Sequence, residues 1–201
     1  EKYDWDIITE VQKKNADGTW KTVKEDTETD QAEELKGNLS VSDPGTKKPA
    51  RIITVTSGKG GVGKSNIAVN LAVQFQRMGL KTIIFDADIG LANVEVMFGT
   101  IPQYSLNDLI YHDKEIEDII TDGPEGVGFI SGGSGIMGLS NLTLDQISYL
   151  VKSVEKLSVI ADIVIVDTGA GISDSVMEFV ASSPEILLVT TPEPSSLTDA
   201  Y

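Results

Sequence analysis

Eight consecutive residues, Gly58-Lys59-Gly60-Gly61-Val62-Gly63-Lys64-Ser65, constrain the chain more than any other stretch. They satisfy the spacing G-x-x-x-x-G-K-[ST]. Residues 52–56 before them, Ile-Ile-Thr-Val-Thr, form the β-branched run expected of a buried parallel strand. After them Ile67, Leu71 and Phe75 recur every fourth residue and predict a helix that opens on the loop. Glycines carry no Cβ, so successive backbone N–H groups can turn inward and make a concavity for an anion. The helix N-terminus adds partial positive charge at the same place. Lys64 is then placed to reach the β- and γ-phosphates of a nucleotide and the Ser65 hydroxyl to ligate Mg²⁺, with Asn66 next in the nucleotide-binding set. The plain alternative is a glycine-rich turn with no ligand. At average residue usage the four fixed positions match by chance in roughly 1% of chains this long, before strand and helix are required.

Composition narrows the partners. The 201 residues are enough for one α/β domain with a full core, and 40% hydrophobic with 23% charged residues is ordinary for a globular chain. There is no cysteine, so neither a disulfide framework nor a thiolate metal site can form. The single histidine, His112, follows a short apolar helix in polar surroundings and reads as a surface residue. No run is long and apolar enough to span a membrane and no signal peptide is visible, so a cytoplasmic setting is the expectation. The net charge is −15; residues 1–50 hold 12 acids against 8 bases, and the remainder 19 against 8. This balance argues against broad binding to a nucleic-acid backbone.

Upstream of the loop, residues 5–11 and 19–23 are strand-like around a turn-like Asn15-Ala16-Asp17-Gly18, which predicts a hairpin within residues 1–28. A lone hairpin is marginal in water and needs a surface to lie on. Thr29 and Asp30 can cap a short helix over residues 31–39, with Ala32, Leu35 and Leu39 on one face. Residues 40–49, with Pro44, Gly45 and Pro49, read as a linker, and the catalytic domain is expected over residues 50–201.

Downstream, a helix over residues 63–78 stops at Gly79, and a second strand over residues 81–85 delivers Asp86-Ala87-Asp88 at its C-terminal end, where open α/β sheets bind ligands. Short helices are expected over 106–111 and 114–120, and a strand over 127–131 leads into Gly132-Gly133-Ser134-Gly135, which reads as a flexible loop or, alternatively, a dimer-face loop. Leu142, Ile147, Leu150, Val151, Val154 and Leu157 mark an amphipathic helix from about Thr143. Ile163-Val164-Ile165-Val166-Asp167 is a continuous apolar run ending in aspartate, the Walker B pattern of a buried strand carrying a carboxylate to Mg²⁺. A helix over residues 173–180 and a strand over residues 185–190 complete the pattern, which specifies a doubly wound, mostly parallel sheet of the P-loop NTPase type with helices on both faces.

The string Lys59-Gly60-Gly61-Val62-Gly63-Lys64-Ser65 resembles the deviant Walker A of the MinD/ParA ATPases. That resemblance implies an ATP- and Mg²⁺-dependent ATPase that dimerises around sandwiched nucleotide, with Lys59 reaching the partner's phosphates as an arginine finger does. Residues 86–93 are similar to the family's switch I, which implies that Asp88 positions the attacking water and Asp86 supports the Mg²⁺ shell. Thr168-Gly169-Ala170-Gly171 resembles switch II. Residues 190–196 resemble the loop near the adenine, although many relatives carry asparagine where Thr191 stands. The segment Asp30-Gln31-Ala32-Glu33-Glu34-Leu35-Lys36 resembles the D-Q-A-x-x-L-[RK] element of the flagellar-number ATPases, the FlhG (YlxH, FleN) family. There it docks on the signal-recognition-type GTPase FlhF, which implies that Gln31 approaches the partner's nucleotide and Leu35 anchors the helix. Family members continue beyond this stretch to further strands and a C-terminal amphipathic membrane helix that residues 1–201 lack, so the chain reads as C-terminally incomplete, and peripheral attachment to the inner face of the cell membrane would rest on that helix. Three other readings share these motifs: a MinD-like division-site ATPase, a ParA-like DNA-segregation ATPase, and a small-molecule phosphotransferase of the same fold.

Overall fold

The computed structural model describes residues 8–14, 20–25, 49–91, 93–133 and 142–200. Strand β3, Arg51–Ser57, runs into the glycine loop, and helix α1, Lys64–Arg77, opens on the far side. The remaining elements in chain order are β4 (Thr82–Ala87), α2 (Asn93–Phe98), α3 (Leu106–Tyr111), β5 (Thr121–Asp122), β6 (Gly128–Ile130), α4 (Leu144–Leu157), β7 (Ile163–Ala170), α5 (Asp174–Ser182), β8 (Glu185–Thr190) and α6 (Pro194–Ala200). Two strands precede the loop, β1 (Ile8–Lys14) and β2 (Trp20–Glu25).

One sheet takes in all eight described strands in the order β2-β1-β8-β3-β7-β4-β6-β5. The central five, β8 to β6, are parallel, and the edges are antiparallel. Parallel strands buried on both faces need helices above and below, and the alternation of side chains sorts them. Ile84, Ile163 and Ile165 point to the face covered by Ile67, Leu71 and Phe75 of α1, with Phe129 beside them. Ile83, Phe85, Val164 and Val166 point to the other face, under Leu106 and Leu109 of α3, Leu150 and Val154 of α4, and Phe179 of α5. Two aromatic contacts lock these layers, Phe98 edge-on to Phe129 at 5.3 Å between centroids and Phe85 tilted against Phe179 at 5.7 Å.

Local signals set the helix boundaries. Thr143 caps α4 with a reciprocal bond from Gln146, and Ser173 caps α5 by accepting from the Val176 N–H. Gly79, with φ of +81°, ends the α1 turn. The stretch predicted as a helix over residues 114–120 is instead a single 3₁₀ turn, Ile116–Ile119, which buries Ile116 and Ile119 and leaves room for β5 beside β6. The two N-terminal strands pair antiparallel, and β1 lies along β8 from Ile8 opposite Thr190 to Lys13 opposite Glu185. The turn at residues 15–18, the helix over 31–39 with Gln31 and Leu35, linker residues 40–48, and Ser134 with Gly135 lie outside the described residues. Among the described residues no helix is long and apolar enough to cross a membrane.

Candidate active site

Three neighbouring parallel strands, β3, β7 and β4, end at the same edge of the sheet, and each delivers part of the site. The loop after β3 carries Gly58 to Ser65, β7 carries Asp167, and β4 carries Asp86 with Asp88 just beyond it. Asp86 and Asp167 are register partners across β4 and β7, so two carboxylates stand side by side in the sheet by construction.

The loop has the geometry of an anion cradle. Gly61 and Gly63 have φ of +78° and +92°, a region costly for residues with a Cβ. Gly63 begins α1 with no side-chain cap, and no acid occupies the first turn, which leaves the helix N–H groups to an incoming anion. Gly60, Gly61, Gly63, Lys64, Ser65, Asn66 and Asp88 line one cleft of about 1010 Å³, together with Gly169 and Ala170 at the end of β7. Lys64 is buried, Asn66 is exposed, and Val62 turns away from the cleft into the core beneath α1. Gly58 is needed for another reason: a Cβ there would lie 1.9 Å from the Asp199 carbonyl oxygen, so α6 sits on the start of the loop.

Asp167 is fully buried, and neither of its carboxylate oxygens meets a donor in full hydrogen-bond geometry, although the Ser65 hydroxyl and the Lys64 ammonium stand beside it. Burial pushes its pKa up to about 6; the Ser65 hydroxyl and the Lys64 ammonium pull it down, and the Asp88 charge pushes it up. A carboxylate left without a well-formed hydrogen bond beside a serine hydroxyl and a phosphate cradle suits a divalent cation. Among the described residues no three acidic or histidine side chains converge on one metal position. Mg²⁺ needs no such cluster, since it takes one or two protein oxygens and completes its shell with water and phosphate oxygens.

Asp86 is fully buried too, and its pKa is pushed up to about 8, first by burial and then by the neighbouring Asp167 charge. Its oxygens accept the Val94 N–H at 3.1 Å and the Asp88 N–H at 3.2 Å, so it fixes the backbone at Asp88 and Val94 while standing beside Asp167. Asp88 reaches the cleft, and its carboxylate accepts a 2.8 Å bond from the Asn93 side chain, a partner that the sequence pattern did not assign.

Lys59 does not bend over its own loop. Its ammonium bonds the Glu193 carboxylate at 3.0 Å, just before α6, and the Ser195 hydroxyl at 3.1 Å, in its first turn. Sequence spacing gave no sign of that pairing, since the partners lie 134 and 136 residues away.

These features define a P-loop NTPase, and the family model described as "ParA: NUBPL iron-transfer P-loop NTPase" matches residues 48–201. The chain belongs to this ParA/MinD-type family. It is 43% identical over 157 residues to the antiactivator FleN of Pseudomonas aeruginosa, covering 78% of this chain and 56% of that one. It is 38% identical over 176 residues to the flagellum site-determining protein YlxH of Helicobacter pylori, covering 85% of this chain and 60% of that one. The chain therefore spans little more than half the length of these curated relatives. Among solved structures it resembles the septum site-determining protein MinD of Pyrococcus horikoshii complexed with Mg-ADP, at 31% identity and a TM-score of 0.68, over 75% of this chain and 62% of that one.

Proposed function

We propose that the chain is the nucleotide-binding part of an ATP-hydrolysing switch that controls flagellar number or placement. The observation that carries this reading is the buried Asp167 with neither oxygen in a well-formed hydrogen bond, set beside Ser65 and Lys64 at the mouth of an uncapped helix. In this mechanism the amides of residues 60–63 and the Lys64 ammonium hold the β- and γ-phosphates. Ser65 and Asp167 hold Mg²⁺, which when bound neutralises phosphate charge. Asp88, fixed by Asn93, orients the attacking water, and switch II at Thr168 to Gly171 senses the terminal phosphate. No covalent step on the protein is needed; orientation and charge neutralisation carry the reaction.

The partner functions follow the same reading. Lys59 leaves Glu193 and Ser195 and completes the site of a second copy in an ATP-bridged homodimer. The exposed ion pair it gives up is worth at most about 1 kcal/mol, a small barrier to release. Residues 30–36, with Gln31 and Leu35, engage an FlhF-like GTPase, and a membrane surface is reached through a helix C-terminal to this chain. The names FleN and YlxH support the flagellar role. The likeness to MinD supports division-site placement as the second reading. A synthetic peptide of residues 28–40 added to an FlhF-type GTPase separates them. Raised GTP turnover that Gln31→Ala removes supports the flagellar reading, and no stimulation by the unmodified peptide favours the division-site one.

A further inference from the structure

The glycine pair after β6 has no part in the mechanism above, yet it is built into the site. Ser131 is fully buried at the end of β6, and its hydroxyl has two partners at once. It donates to Glu95 of α2 at 2.6 Å and accepts the Gly133 N–H at 3.1 Å. Its carbonyl accepts the Leu106 N–H at 3.0 Å, which ties the same residue to α3. Next to it, the Gly132 carbonyl accepts the Gly90 N–H at 3.4 Å. A Cβ on Gly132 would stand 2.9 Å from the Asp86 carbonyl and 3.2 Å from that of Asp88, so the β6 end packs directly on the backbone that carries both acids. On the opposite side, a Cβ on Gly169 would stand 3.1 Å from the Asp88 carboxylate. The Asp88 segment is thus pinched between Gly132, just after β6, and Gly169 of β7. Glu95 follows Asn93 and Val94, the residues that bond Asp88 and Asp86, on the same short helix.

We propose that Glu95 and Ser131 form a positioning pair for Asp88: their hydrogen bond ties α2 to the end of β6 and so sets where Asn93 holds the Asp88 carboxylate in the cleft. Neither residue lines the cleft or touches the nucleotide; each acts through Asn93 and Asp88. The pair spans 36 residues of sequence and joins α2 to the segment after β6. Six residues of α2 are too few to hold their own orientation, so an external anchor is required for a fixed Asp88.

The inference rests on the proposed ATPase reading, and the experiment tells the two apart. ATP turnover at saturating nucleotide and the Mg-ADP dissociation constant are measured on the intact protein for wild type, Glu95→Ala, Glu95→Gln and Ser131→Ala. The Ala variants should lose about tenfold or more in kcat, because a small misplacement of a water-orienting group is costly, with the Mg-ADP dissociation constant within about twofold of wild type. Glu95→Gln keeps an oxygen to accept the Ser131 hydroxyl and should recover most of the rate. Wild-type kcat in Glu95→Ala overturns the proposal; so does a Gln variant as slow as the Ala variant, or nucleotide affinity falling in step with kcat. Loss of the thermal unfolding transition in both Ala variants also counts against it, since it marks a folding role. If the wild type shows no turnover, the ATPase reading and this inference fall together; if it turns over and the variants match it, only the inference falls.

Discussion

Replacing Asp167 with asparagine should stabilise the nucleotide-free fold at alkaline pH while disabling the site. The side chain is fully buried with neither oxygen in a well-formed hydrogen bond, and burial pushes its pKa up to about 6 against the pull of Ser65 and Lys64. In the unfolded chain an aspartate titrates near 3.9. Between these two values the folded chain holds a proton that the unfolded chain has released, so unfolding free energy falls as pH rises. Asp167 therefore costs nothing below about pH 4, and its penalty grows until the folded group is ionised. Each pH unit of that interval is worth about 1.4 kcal/mol, which makes the cost roughly 3 kcal/mol by about pH 8. Asparagine keeps the shape, removes the charge, and lifts the repulsion that helps push Asp86 to about 8. Its amide N–H groups lack a good acceptor, which returns about 1 kcal/mol. The variant should thus be about 2 kcal/mol more stable than wild type at about pH 8, with a smaller gap at about pH 5. Urea unfolding without nucleotide at both pH values measures this; taking variant minus wild type cancels the carboxylates other than Asp86, whose relief from the Asp167 charge widens the gap in the same direction at the higher pH. A variant less stable than wild type at the higher pH, or a gap that does not change with pH, refutes the assignment of a buried carboxylate without a well-formed hydrogen bond. In the same variant Mg²⁺ should no longer strengthen nucleotide binding.

Other expectations follow from single contacts. Gly58→Ala forces Asp199 and α6 off the loop, because the added Cβ would lie 1.9 Å from a backbone oxygen; a loss of more than about 1 kcal/mol in urea unfolding is expected, and unchanged stability would contradict the close approach. Lys59→Ala should leave the fold and monomer nucleotide affinity nearly intact, since its ion pair with Glu193 is exposed, but abolish ATP-dependent dimers in size-exclusion chromatography; a variant that still dimerises would remove the role in trans. Phe129→Ala empties a fully buried site against Phe98 and should cost about 3–5 kcal/mol in the same unfolding assay, with little change indicating that the layers are loosely packed.

Much of this fold was legible because its elements carry local signals. The apolar runs at 163–167 and 185–190 are short and rich in β-branched residues, as buried strands are, and the loop motif sits between a strand and a helix of the right periods. The helices expected from about Thr143 and from Ser173 begin one residue later, with those two residues as their caps. What escaped is tertiary. β5 has two residues and no pattern to detect, and the 3₁₀ turn at Ile116–Ile119 differs from a helix only by what packs around it. The Arg51–Glu185 pair, at 2.5 Å between β3 and β8, depends on strand order, as does the place of β1 along β8. The site divides the same way. Lys64, Ser65 and Asp167 follow from motif spacing, whereas the Glu193 hold on Lys59 and the Ser131 hold on Glu95 join residues brought together only by the crossovers.

The central claim is that residues 58–65 grip a nucleotide phosphate chain with help from Asp167. Isothermal titration of the intact protein with ATP and Mg²⁺ tests it most directly. Saturable heat at one site per chain, lost in Lys64→Ala and no longer strengthened by Mg²⁺ in Asp167→Asn, is the predicted result; no heat from the wild-type protein with either adenine or guanine triphosphate would contradict it.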